Sequence, residues 1–314
     1  MKKFYLNFAK SIALFSCLFT FLSCLKFKKI NLSISQPNVQ EISIPKKSTT
    51  KKIFLATDKC PEIEREQKLK LAKRSSTLKS SAPKEKVNKD LGIRFHFVGD
   101  EEIKKKAKIS PEEQKKLIIK ILSKLPKEHR VTLDRLTIKF NEDMRRGYGN
   151  ADRITMRGIN MDKKNFIAVF IHELGHLVDL GFLSPRIEKK ESGFYDLGKP
   201  VFASDPSLDF YRISWKDDEN LLESAKEEDF VSGYGATDPF EDFAESYGYF
   251  VLHGNDFRKL AKNNKALKRK YLFIKNRVFF GKEFTGISSV YTSAKERPYD
   301  STKLDFSLSR FFAS

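Results

Sequence analysis

Asn165-Phe166-Ile167-Ala168-Val169-Phe170-Ile171-His172-Glu173-Leu174-Gly175-His176-Leu177-Val178-Asp179-Leu180 is apolar around nearly its whole circumference, yet it carries two imidazoles and two carboxylates. As a helix it must be buried. Burying those polar groups unpaired costs several kcal/mol, on the order of 2–7 for each neutral group. Residues four apart on a helix lie about 40° from each other, one turn along, so His172 and His176 can reach a single ion. With five His in the chain, an accidental His-Glu-x-x-His arises in well under about one in fifty such sequences.

A tetrahedral zinc held by neutral imidazole nitrogens, with one position open, lowers the pKa of a bound water to about 7. Glu173, adjacent to the first His, is then placed to take that water's proton and deliver it to the leaving amine. A purely structural zinc site has no need of such a base. The expectation is therefore a zinc-dependent endopeptidase, with Zn2+ as cofactor and a peptide or protein as substrate. The competing reading is a catalytically inactive protein of the same fold, exposed on a cell surface and acting as a binding or adhesion module. A third is a protein that uses metal for stability alone.

Two His do not complete a catalytic site. Metzincins supply a third His six residues after the second, following a Gly three residues after it, but those positions here are Phe182 and Asp179. The third ligand must come from further downstream. In Ser232-Gly233-Tyr234-Gly235-Ala236-Thr237-Asp238-Pro239-Phe240-Glu241-Asp242-Phe243-Ala244-Glu245-Ser246, Asp238 and Pro239 read as the N-cap and first residue of a helix. Phe240, Phe243, Ala244, Tyr247 and Val251 form its apolar face, Glu241 and Glu245 share one border of that face, and Asp242 is expected to point away. Either Glu can meet the metal, although Glu241 also stands at the capping-box position relative to Asp238. Asp179 follows His176 on the same helix, as site support or as an exposed aspartate.

His172-Glu173-Leu174-Gly175-His176-Leu177-Val178-Asp179, followed by Tyr234-Gly235-x-Thr237 and Glu241-x-Phe243-Ala244-Glu245, resembles the lethal-factor-like zinc metallopeptidases, named for the protease component of anthrax toxin. The resemblance spans roughly residues 110 to 280. It implies a zincin-like fold, Glu241 as third zinc ligand, the Tyr234 hydroxyl as stabiliser of the tetrahedral oxyanion, and Glu245 as support behind a His ligand. The chain shows no counterpart of the toxin's large preceding domains, so the toxin's substrate and route of entry are not carried over.

The flanking segments predict an α+β domain over residues 91–285: a small mixed sheet, the site helix and a C-terminal helical lobe. Ile93 to Val98 alternates like a strand, Ser110-Pro111-Glu112-Glu113 opens a capped helix that ends near Leu125-Pro126, and Leu136 to Phe140 and Arg153 to Arg157 read as strands. Gly147-Tyr148-Gly149-Asn150 reads as a turn cluster between those strands. A Lys-rich helix is expected over Arg258 to Lys275, and residues 286–314 as a tail. Gly181 to Val231 reads as either a cleft wall or a long surface excursion. His96, His129 and His253 match no motif and are expected to be structural or exposed.

Charge separates this domain from what precedes it. Residues 1–90 carry 20 Lys and Arg against 7 Asp and Glu, while residues 91–314 carry 40 against 34. The net charge of +19 therefore belongs mostly to the N-terminal arm, and nucleic acid is not an expected partner. Residues 1–23 have the basic start and short apolar run of a signal peptide. Phe21-Leu22-Ser23-Cys24 resembles the lipobox of bacterial lipoproteins, which implies an exported bacterial protein anchored to a membrane by lipid on Cys24, with plain secretion as the alternative. Residues 24–90, rich in Lys, Ser and Thr, read as a disordered basic tether. The three Cys, at 17, 24 and 60, all precede the domain, so no disulfide staples its core.

Overall fold

A computed structural model describes residues 87–88, 91–142, 144–184, 190–286 and 297–313. The signal segment, most of the tether, and Cys17, Cys24 and Cys60 lie outside these residues. Val87–Asn88 forms β1, so pairing starts slightly before residue 91. β2 (Ile93–Val98) takes the predicted span. After α1 (Glu101–Lys105) comes α2 (Pro111–Lys124), where the Ser110 hydroxyl accepts the Glu113 N–H and Pro111 fills the first turn. Its buried face, Ile118, Ile121 and Leu122, repeats at helical spacing.

β3 (Arg135–Lys139), β4 (Gly147–Gly149) and β5 (Arg153–Arg157) complete a sheet in the order β1-β2-β3-β5-β4. β2, β3 and β5 run parallel, whereas β1 and β4 are antiparallel edges. Leu136, Ile138, Ile154 and Met156 alternate into the core with no exposed surface. Gly147 to Gly149 is thus an edge strand and not the turn its glycines suggest. The glycines answer to a close approach instead: a Cβ on Gly147 would stand 2.2 Å from Glu173 Oε1.

α3 (Lys163–Leu177) is capped by Asp162, whose carboxylate accepts the Asn165 N–H, and runs on into a π turn over Val178–Phe182. Every residue from Phe166 to Leu177 is buried. β6 (Glu191–Asp196) and β7 (Lys199–Phe202) form a separate hairpin, followed by α4 (Leu208–Tyr211). α5 (Pro239–Leu252) begins where the sequence predicts, with Asp238 accepting the N–H groups of Phe240 and Glu241. It crosses α3 at small residues, for a Cβ on Gly175 would lie 2.9 Å from Ala244 Cα. That contact brings the two helices close enough to share a site.

α6 (Gly254–Asn263) and α7 (Lys265–Phe273) replace the single Lys-rich helix expected over Arg258 to Lys275. The break falls at Asn264, which is extended and caps α7 by accepting the Leu267 N–H. Lys270 lies fully buried, 2.7 Å from Asp242. The expectation that Asp242 points away from the core is therefore corrected: it has no exposed surface and also accepts the Trp215 indole N–H at 3.0 Å. His129 and His253 are buried. His129 Nε2 must donate to the Val278 carbonyl, leaving Nδ1 to accept from the Tyr247 hydroxyl, and burial lowers its pKa to about 4.

The described part of the expected tail is built into the domain. Ser301 and Thr302 are buried in a single 3-10 turn, and α8 (Leu308–Ala313) seats Phe311. Upstream of that turn, the N–H groups of Gly233 and Tyr234 donate to the carbonyls of Pro298 and Tyr299. The whole is a mixed α and β structure with small sheets and a large helical fraction. Among the described residues no helix is long and apolar enough to cross a membrane.

Candidate metal centre

His172 and His176 leave α3 one turn apart, with ring centroids 5.0 Å from each other and ring planes nearly perpendicular. Both are buried, as is Glu173 between them in sequence. From the N-terminal turn of α5, Glu241 Oε2 comes to 3.1 Å from His172 Nε2 and 3.3 Å from His176 Nε2. That oxygen is buried and aligned with no hydrogen-bond donor. The carboxylate oxygen and the two imidazole Nε2 atoms are thus gathered around one point. Two ligands on a tetrahedral zinc with bonds of about 2.0–2.1 Å stand ~3.3 Å apart, so the separations fit this ion.

A second carboxylate competes for that role. Donor atoms of His172, Glu173 and His176 also fall within 4.8 Å of one another. Glu173 Oε1, however, lies against β4 at Gly147, facing the cleft, while Glu241 Oε2 touches both imidazoles. The geometry therefore favours His172, His176 and Glu241 as the residues able to hold a metal, with Glu173 beside it.

Glu245, one turn beyond Glu241 on α5, lies 2.9 Å from His172 Nδ1 through Oε1. Its other oxygen accepts the backbone N–H of Ser301 at 2.8 Å. The two atoms are within reach but not aligned as a hydrogen bond; a turn of the ring brings them into line, and a carboxylate so bonded to an imidazole fixes its tautomer and raises its basicity. Tyr234 stands in the 3-10 turn before α5, its ring stacked on His172 at 6.1 Å and its hydroxyl donating to Glu241 Oε1 at 2.8 Å. Asp179, the remaining candidate, is buried and not a surface aspartate; it accepts the Tyr211 hydroxyl at 2.6 Å.

Burial opposes charge on both site imidazoles, but the Glu241 carboxylate, joined by Glu245 at His172, outweighs it and holds both above the ordinary His value. Burial likewise opposes ionisation of Glu241, and there the two imidazoles prevail and lower its pKa. Glu173 is raised, burial dominating over the attraction of the two His. Burial and the Glu241 carboxylate raise the Tyr234 phenol well above its usual value, so it remains a neutral donor.

The group opens into a cleft of about 570 Å³. Edge strand β4 forms one wall, the β6–β7 hairpin contributes Tyr195, Asp196 and Leu197, and the C-terminal segment contributes Tyr299, Asp300 and Thr302. Arg146, just before β4, ties two of these walls together through an ion pair with Asp300 and a 2.8 Å bond to the Thr302 hydroxyl. Sequence reasoning missed the Ser301 N–H and Arg146, because neither belongs to a local pattern. The chain matches no known family profile and no curated protein sequence.

Proposed function

We propose that this chain is a zinc-dependent endopeptidase with a zincin-like fold of the lethal-factor-like type. The observation that carries the reading is the buried Glu241 oxygen facing both imidazole nitrogens of a His-Glu-x-x-His helix, with a second carboxylate, Glu173, turned into the cleft. Zinc, when bound, supplies the Lewis acidity that makes water nucleophilic near neutral pH and polarises the scissile carbonyl.

The rest is the work of the protein's own groups. Glu173 accepts a proton from the attacking water and returns it to the leaving nitrogen; its raised pKa suits a group that must do both. Tyr234 offers an uncharged O–H to the negative oxygen that develops on the carbonyl, turning from Glu241 as it does so. Glu245 keeps His172 in one orientation. β4 is the terminal strand of its sheet and lies in the cleft wall, so an extended peptide can pair along its free edge.

The test is a pair of measurements on the full-length chain, zinc content by atomic absorption and cleavage of a peptide library with and without chelator. Glu173→Ala should keep zinc and lose proteolysis by at least about 100-fold. His172→Ala, His176→Ala or Glu241→Ala should lose the metal. Cleavage by Glu173→Ala at the parent's rate, or parent activity indifferent to chelator, rules this mechanism out.

A further inference from the structure

Eight large apolar side chains are exposed among the described residues, and four of them, Tyr148, Tyr195, Leu197 and Tyr299, line this one cleft. They arrive from separate pieces of chain: β4, β6, the β6–β7 turn and the C-terminal segment. Apolar surface gathered from unrelated elements around one concavity marks a place where something apolar is bound. Much of the charge in the same cleft is already committed. Arg146 pairs with Asp300, Asp238 caps α5, Glu241 faces the imidazoles, and Asp218 accepts the Tyr195 N–H at 3.1 Å.

Leu197 is the most telling of the four. It and Gly198 form the two-residue turn between β6 and β7, with φ of 47° and 79°. Positive φ at both positions is the geometry that Asn-Gly or Asp-Gly adopts readily; a Leu held there is strained. The side chain is 81% exposed, so burial within the fold does not compensate. Among the described residues Leu197 is the one non-glycine residue with positive φ that lines the cleft. Strain without burial, at the rim of a cleft, points to a role in binding.

We infer that Leu197, with Tyr195 and Tyr299, is a specificity-determining residue that seats an aliphatic or aromatic side chain of an extended peptide substrate. The inference rests on the peptidase reading for the identity of the ligand as a peptide.

Two labelled hexapeptide pools serve as probes, identical except that every apolar residue of the first is Ser in the second. Binding is measured by fluorescence anisotropy on zinc-loaded full-length Glu173→Ala, with and without Leu197→Asn, and cleavage on the parent and on Leu197→Asn alone. The expected result is binding and cleavage of the apolar pool favoured about tenfold, the order that a small apolar contact supplies, and loss of most of that preference in Leu197→Asn. Because Asn suits this turn, Tm should stay level or rise; should it fall, Leu197→Gly is the control and must show the same loss of preference.

A preference left intact by Leu197→Asn and Leu197→Gly, or no preference in the parent, overturns the inference. If the binding preference depends on Leu197 but the parent cleaves neither pool, the rim stands and the peptidase reading fails. Cleavage with a preference untouched at Leu197 does the opposite: the peptidase reading stands and the rim falls.

Discussion

Asp179 lies on the same helical run as the site His residues, buried and holding the Tyr211 hydroxyl. Burial raises its carboxyl from 3.8 to about 8. The folded state therefore keeps this proton over a pH range in which the unfolded chain has released it. The associated stability is complete below pH 3.8 and is lost as pH rises toward 8. Asp179→Asn can accept the same hydroxyl and has no proton to lose. Its Tm should match the parent's near pH 4 and exceed it by about 10 °C at pH 8. A Tm difference that does not vary with pH excludes this account. At this scale the sequence was partly legible. His172, Glu173 and His176 could be read together because helical spacing is a local rule. The sequence alone does not decide between two roles for Asp179, since nothing near it in sequence announces Tyr211.

At the scale of elements, α3 and α5 meet through Gly175 and Ala244, and a buried ion pair holds α5 to α7. Asp242 and Lys270 are both without exposed surface, and the Lys270 ammonium also donates to the Asp229 carbonyl and lies over the Phe230 ring. Removing one partner leaves the other charged and buried. Lys270→Met alone should cost about 3–5 kcal/mol, whereas Asp242→Leu with Lys270→Met should recover most of the loss, as judged by denaturant midpoints. Equal loss in the single and double variants argues against a compensated pair. Helical periodicity placed Asp242 outside because the pattern contains no sign of a lysine 28 residues downstream. The same limitation explains β4. Its glycines read as a turn because composition does not reveal that Glu173 lies against them. β2, β5 and the start of α2 were legible because alternation and capping are local.

Across the whole molecule, the C-terminal segment reaches the site from the far end of the chain. The Ser301 N–H holds Glu245, and Glu245 stands behind His172. Ser301 is the first residue of a helical turn, preceded by an extended Asp300, a position where proline fits the backbone and removes the N–H, together with the serine hydroxyl. Ser301→Pro should fold with little change in Tm yet bind zinc about tenfold more weakly, read by competition with a chromogenic chelator. Unchanged affinity means that the segment is a wall and nothing more. A nascent chain carries the complete His-Glu-x-x-His motif long before Ser301 leaves the ribosome, and a chain clipped ahead of Pro298 never acquires that donor. The two histidines thus gain their full set of neighbours only once the Ser301 turn, about 125 residues further along the chain, has been made and folded back onto Glu245.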